Sequence, residues 1–406
     1  MTRLLIRDLR QVATPSGTGA PLRGGDLGRV DVIEDAYVLV DGGEIADVGR
    51  MRELGASAVI GEFGELDGRG RCAVPGLVDC HTHAAFAGDR VEEFALRASG
   101  ASYEELHAAG GGILSTVRAT RAAGEAGLRV AVERHRESML RAGTTTFEAK
   151  SGYGLDHETE LASLRAIAAA GGIPTWLGAH AVPPEFDDAD AYLDFALTEV
   201  LPEAAKVAEA ADVFVERGAF DVKQARRYLE ACKAEGLALR LHGDQFTEAG
   251  AVPLAVELGA RSVDHLEATS DAGIRTLAAS QTTAVLLPAS ALFLGRPMPP
   301  GRALVDAGAA VALATDFNPG SAFTESLPLV CSLACTQLTL APGEALAACT
   351  VNAAHVLGRS ARRGRIAPGF DADLLLLDVP DWRYLAYHLG GDLGIDPIIG
   401  GRRALP

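Results

Sequence analysis

Apolar and polar residues alternate along IEDAYVLVDGGEIADVG near the N-terminus, and the alternation runs through a Gly-Gly pair. A period of two on both sides of such a pair predicts a β-hairpin. The first 70 residues read throughout as short strands and turns. From residue 71 the texture changes, and short β-branched or apolar runs alternate with alanine-rich stretches of helical period. In AGLRVAVERHRESMLRAG the apolar face is Leu128, Val132, His135 and Met139, and Gly143 stops the helix; QARRYLEACKAEG repeats the pattern and ends on Gly236.

Eight strand candidates follow one another in this part of the chain: 72–80, 144–150, 173–180, 212–216, 237–243, 261–265, 282–288 and 309–316. Strands that alternate with helices are parallel and joined by crossovers. Eight such units over residues 71–361 predict an α/β protein with a (β/α)8 TIM-like barrel, the alternative being a doubly wound open sheet. The final stretch, GRIAPGFDADLLLLDVPDWRYLAYHLGGD, returns to the strand-and-turn texture of the start. Residues 1–70 and 362–406 are therefore expected to combine into one small β-sandwich domain beside the barrel.

Composition narrows the partners. Of 406 residues 48% are hydrophobic, enough for a large core, and 37 basic against 54 acidic residues leave a formal net charge of −17. Such a balance repels phosphate backbones and anionic lipid, so neither a nucleic acid nor a membrane surface is an expected partner. No apolar run approaches the ~20 residues that span a bilayer. Six scattered cysteines without a CxxC pair fit reduced thiols in a cytoplasmic protein. Cys331 and Cys335, one helical turn apart, read as small hydrophobes on a core-facing side, and Cys80 as packing between barrel and helices.

The chemistry gathers at the C-terminal ends of the eight strands, where a barrel of this kind builds its active site. Strand one ends in His81-Thr82-His83, strand three in His180, strand five in His242, strand six in His265 and strand eight in Asp316, so five of ten histidines fall at these ends. Lys150 and Glu216 close strands two and four. His81 and His83, two apart on an extended strand, project on the same side toward the barrel axis. With His242 and Asp316 they can surround one metal ion, and a nitrogen-and-oxygen set without thiolate suits zinc, iron or manganese. Gly110-Gly111-Gly112 lacks the preceding strand and following Lys of a phosphate loop and reads as a lid over the site. His107, His135, His157, His355 and His388 fall on helices or turns, where solvation or packing explains them; packing also suffices for Asn352.

These residues resemble the metal-dependent amidohydrolase superfamily, in PGLVDCHTHAAFAG, the eight-strand pattern, the Thr315-Asp316 pair and GRIAPGFDADLLLLD. More specific are HTHAAFAGDR (81–90), GGGILSTVRATR (110–121), KSGYGL (150–155), GAHAVPPEF (178–186), HGDQF (242–246), DHL (264–266) and TDFNPGS (315–321), which are similar to the branch that opens the cyclic amide of 4-imidazolone-5-propanoate in L-histidine degradation. The resemblance implies one zinc or iron ion per subunit, held by His81, His83, His242 and Asp316. It places substrate contacts on Arg90, Tyr153, His180, Gln245, Asn318, Gly320 and Ser321, with an anionic small molecule as partner and a homodimer as the assembly considered. Gln245 stands where some relatives carry glutamate and cannot serve as a base. On this reading Asp316 is the proton acceptor, His265 steadies the developing oxyanion, Arg90, Tyr153 and His180 take the propanoate tail, and Asn318, Gly320 and Ser321 the new carboxylate. Simpler roles are an ion pair of Arg90 with Glu92 or Glu93, and ion-pair or supporting roles for Lys150 and Glu216. Another cyclic amidase or nucleobase deaminase of the superfamily, or a metal-binding barrel without activity, are the alternatives; a neutral nucleobase would not require the Arg90 set.

Overall fold

The computed structural model describes residues 3–55, 64–100 and 111–405. The alternating N-terminal run folds as β1 (Arg3–Pro15), β2 (Val30–Asp41) and β3 (Glu44–Arg50), paired antiparallel in sequence. The β2–β3 turn is the Gly-Gly pair, Gly42 and Gly43, with φ of 63° and 89°, values that only glycine adopts at no steric cost. β4 (Gly64–Asp67) and β5 (Cys72–Pro75) then lie parallel against β1.

The run 72–80, expected as one barrel strand, is in fact two. Pro75 has no N–H to continue a ladder, and at Gly76 a Cβ would sit 2.2 Å from Thr145 Oγ1. The chain turns there, so β5 stays with the end strands and only β6 (Leu77–Asp79) enters the barrel. The other seven strands stand where the pattern puts them, as β7 (Thr144–Lys150), β8 (Ile173–Ala179), β9 (Ala210–Val215), β10 (Ala238–Gly243), β11 (Ser262–His265), β12 (Thr283–Leu286) and β13 (Val311–Leu313). All neighbours from β6 to β13 are parallel and in chain order. Their residues are buried on both faces, as parallel strands under crossover helices must be.

The ring closes just beyond the ends of β6 and β13. Thr82 and Phe317 form a parallel bridge, Asp316 N donates to His81 O at 3.0 Å, and His83 N donates to Phe317 O at 2.9 Å. The closing seam of the barrel is thus made by the residues that carry the candidate chemistry.

The helix expected around Leu128 begins earlier, at Ile113, and runs to Arg141. Gly124, with φ 60° and ψ −179°, kinks it in a region open essentially to glycine alone. Leu128, Val132, His135 and Met139 are its buried face, and His135 Nδ1 donates to Ala84 O at 2.9 Å, a packing role.

From the far end of the chain, β14 (Leu374–Leu377) pairs antiparallel with β5, and β15 (Asp396–Ile399) and β16 (Arg402–Arg403) follow it outward. Both chain ends therefore share one eight-stranded sheet with its own apolar cluster, including Ile6, Val38, Val40, Leu374, Leu376 and Ile398. Asn352 fastens the N-terminal segment to the barrel: its amide exchanges hydrogen bonds with Leu22 N and O at 2.7 and 2.9 Å and donates to Val311 O at 2.8 Å. Among the described residues no helix is long and apolar enough to cross a membrane.

Candidate active site

Strand alternation places the inward side chains in layers. Arg240 and His242 on β10, and Glu148 and Lys150 on β7, are pairs two residues apart and therefore point the same way. The upper layer holds the imidazoles. His83 Nε2 and His242 Nε2 face each other at 3.2 Å, and Asp316 Oδ1 lies 3.4 Å from both His81 Nε2 and His83 Nε2. The His265 ring is 5.4 Å from that of His242 and 5.7 Å from that of His81. His265 and Asp316 both sit at positive φ, 87° and 56°. For residues with a Cβ such conformations are strained, by about 1–3 kcal/mol each, and they turn these two side chains off their strand ends into the centre.

Beneath the imidazoles lies an unbroken line of buried charge. His81 Nδ1 is 2.6 Å from Asp264 Oδ2, which Arg240 Nη2 reaches at 2.8 Å. Arg240 Nη1 is 3.2 Å from Glu148 Oε1, and Lys150 Nζ joins Glu148 at 2.7 Å to Asp212 at 2.9 Å. Asp212 Oδ1 ends the line 3.0 Å from His242 Nδ1. The carboxylates at its two ends hold the hydrogen on Nδ1 of His81 and His242 and leave each Nε2 lone pair facing the common centre.

This arrangement fits a metal ion. Among the described residues His81 Nε2, wholly buried, has no hydrogen-bond partner, and His81, His83 and Asp316 present donor atoms within 4.8 Å of one another, as do His81, His242 and His265. Burial keeps the His83 imidazole below its ordinary pKa and brings that of His242 down to about 4, so both are neutral donors. Burial works the other way on Asp316, but the imidazoles of His81 and His83 beside it outweigh this and hold its carboxyl well below the usual range. His265 differs: burial is overcome by the Glu267 carboxylate, 3.6 Å away, and its pKa rises.

Above the centre opens a cavity of about 430 Å³. Of the sequence-predicted contacts, Arg90, Tyr153, His180, Gln245, Asn318, Gly320 and Ser321 all line it, with His83, His242, His265 and Asp316 at its base. His180 stacks on His83 at 5.3 Å and donates Nδ1–H to Gly152 O at 2.9 Å, so its Nε2 is an acceptor. Burial raises the Tyr153 phenol above its ordinary value and keeps it a donor. Asn318 Oδ1 accepts from Gly320 N and Ser321 N, both at 2.8 Å, while Ser321 Oγ lies 3.3 Å from Asp316 Oδ2. Arg90 lines the cavity and also pairs with Glu93.

Lys150 and Glu216 take supporting places. Lys150 is an internal ion-pair partner, and Glu216 accepts from Phe246 N at 2.8 Å and Thr247 N at 3.0 Å, pinning the loop that carries Gln245. Sequence reasoning did not single out Asp212, Asp264, Arg240, Glu148, Arg97 or Arg296. A usable signal existed for the first four: charged residues inside otherwise apolar strands are seldom buried unless paired. His157, His355 and His388 are not among the cavity's lining residues; His107 and Gly110 lie outside the described residues, while Gly111 and Gly112 line the cavity wall.

Residues 72–399 match the amidohydrolase family. The chain belongs to that family. Among amidohydrolases it is 64% identical over 398 residues to an imidazolonepropionase of Rubrobacter xylanophilus, covering 96% of both chains, and 47% identical to that of Chloroflexus aggregans, covering 96% and 95%. It is thus a hydrolase of the imidazolonepropionase group. Solved amidohydrolase-like folds align over nearly the whole chain at low identity: an adenosine deaminase from Xanthomonas campestris with bound zinc (20% identity, TM-score 0.71, 99% and 92% covered) and a guanine deaminase from C. acetobutylicum (15%, 0.74, 100% of both). These share the fold, and the buried His/Asp cluster of this chain is a metal-ion site in keeping with its family.

Proposed function

We propose that this chain hydrolyses the cyclic amide of 4-imidazolone-5-propanoate to N-formimidoyl-L-glutamate in L-histidine degradation, with one zinc or iron ion per subunit held by His81, His83, His242 and Asp316. The observation that carries the reading is the convergence of these four side chains under a cavity lined by Arg90, in a chain so similar to curated imidazolonepropionases. A bound ion supplies Lewis acidity, lowering the pKa of water at the site to about 7 and polarising the amide carbonyl.

The residues divide the remaining work. Arg90 and Tyr153 donate to the propanoate tail, and the His180 Nε2 lone pair suits a ring N–H. Asp316, acceptor-only when ionised, takes a proton from the attacking water and returns it to the departing ring nitrogen. His265 donates to the oxygen on which charge develops. The attacked carbon becomes the α-carboxylate, beside Asn318, Gly320 and Ser321. Gln245 contributes contact without proton transfer. The partners in this reading are the anionic small molecule and a second copy of the chain as a homodimer, with no nucleic acid and no membrane, in the cytoplasm.

The test is incubation of metal-loaded protein with 4-imidazolone-5-propanoate and detection of N-formimidoylglutamate by mass spectrometry. Formation above the spontaneous rate is expected. Unchanged substrate with the metal bound would contradict the reading.

A further inference from the structure

Arg90 stands at the end of the loop leaving β6, and its guanidinium is not free. Its Nε donates to Glu93 Oε2 at 2.8 Å, and its Nη2 donates to Glu93 Oε1. A guanidinium has two edges able to bind a carboxylate in parallel, one from Nε and one terminal Nη, the other from the two Nη atoms. Glu93 occupies the first. The remaining nitrogen, Nη1, lies against Gly320, where a Cβ would come within 2.0 Å of it. Gly320 is one of the residues lining the cavity, and Arg97 Nη1 is 3.4 Å from its carbonyl oxygen.

Glu93 has a second bond that ties this corner to the cavity wall. Its Oε2 accepts from Gly112 N at 2.8 Å, just before the helix Ile113–Arg141. Gly111, Gly112 and Ile113 all line the cavity. Burial would raise the Glu93 carboxyl, but Arg90 and the Gly112 N–H hold it below the usual range, so it is ionised at neutral pH. With Arg97 the group carries two positive charges and one negative. Local positive charge therefore survives the Arg90–Glu93 pairing, in a chain of net charge −17.

We propose that Glu93 is a positioning residue for substrate recognition: it takes one edge of the Arg90 guanidinium so that the other is presented, already oriented, to the carboxylate tail. This rests on the reading of Arg90 as the tail's holder. An arginine has many rotamers, and fixing it before binding removes an ordering cost that would otherwise weaken affinity. The opposite role, a carboxylate that merely competes with the tail for Arg90, makes the opposite prediction.

The experiment measures inhibition by imidazole-4-propanoate and by its uncharged propanamide, on metal-loaded wild type, Arg90→Met, Glu93→Gln and Glu93→Asp. Metal content and melting temperature are recorded for each to confirm the fold. Glu93→Gln keeps an oxygen acceptor for Gly112 N–H but loses the charge-paired fork. It should bind the carboxylate roughly 3- to 10-fold more weakly, leave the amide unchanged, and raise KM with kcat nearly intact. Glu93→Asp, with the charge kept on a shorter arm, should fall between. Tighter carboxylate binding in Glu93→Gln would overturn the proposal in favour of competition, and equal effects on both probes, or none, would overturn it in favour of a structural role. If wild type does not prefer the carboxylate, or Arg90→Met keeps the wild-type preference, the reading of Arg90 falls and this inference with it; if wild type prefers the carboxylate, Arg90→Met loses that preference and only Glu93→Gln departs from expectation, the inference alone fails.

Discussion

Asp264, Arg240, Glu148, Lys150 and Asp212 lie under the metal-site histidines with at most 1% of their side chains exposed, whereas Arg90, Arg97 and Arg296 line a cavity that opens to solvent. The floor carries three carboxylates against two cations and is net negative beneath a centre suited to a metal cation. Among the described residues the mouth carries three guanidiniums, with Glu93 the only lining carboxylate apart from Asp316. Arg296 stands over the Phe246 ring at 5.2 Å, and Arg97 over the Phe293 ring at 4.9 Å. Charge in a dry interior is costly to leave unpaired and so locks geometry. Charge at a wet rim contributes about 0–1 kcal/mol to stability and acts mainly on which ligand enters. The two regions should therefore respond differently to substitution: the floor through fold and metal, the mouth through affinity.

Asp316, between the two, gives the largest expected effect on rate. Asp316→Asn keeps the shape and one oxygen donor but removes the proton acceptor, and turnover should fall by ~10²–10⁴, about 3–5.5 kcal/mol. The check is kcat with metal content measured on the same sample; a variant that keeps its turnover with metal bound would move the base to another group.

Arg240→Met probes the floor. It leaves Asp264 and Glu148 without their shared partner in the interior, so stability should drop by ~3–5 kcal/mol, and His81 should lose its fixed orientation. Thermal unfolding and metal affinity are expected to fall together. A variant that melts like the parent would mean that the floor is not what holds the ligands.

Much of this contrast was open to sequence reading, but unevenly. The eight barrel strands were legible because each is a short apolar run bounded by helical period, and the clustered histidines and Asp316 because they stand at strand ends. The break at Gly76 was invisible, since CAVPGLVDC is apolar on both sides of it and the close approach of Thr145, which leaves no room for a Cβ at Gly76, comes from a distant part of the chain. The floor was missed for another reason. Asp212 and Asp264 meet residues 62 and 24 positions away, in Lys150 and Arg240, and nothing local distinguishes a buried pair from an exposed one. The strained φ of His265 and Asp316 likewise depends on ring closure, a long-range event. At the mouth the position of Arg90 was legible from its place after His83, and its pairing with Glu93 leaves the second edge of the fork for the role proposed above.

The smallest expected effect comes from Gly320→Ala. The new methyl would meet the end of a flexible side chain, the Arg90 guanidinium, so the fold should tolerate it while Arg90 shifts. Melting temperature should stay close to that of the parent, and kcat/KM should fall roughly tenfold, about 1.4 kcal/mol. An unchanged kcat/KM would place the tail away from Gly320.

The division of labour between floor and mouth is tested most directly by elemental analysis of metal bound to purified parent, His242→Ala and Arg90→Met proteins. The account predicts one ion per chain in the parent and in Arg90→Met, and nearly none in a folded His242→Ala. One ion per chain retained by His242→Ala, or loss of the ion from Arg90→Met, would contradict it.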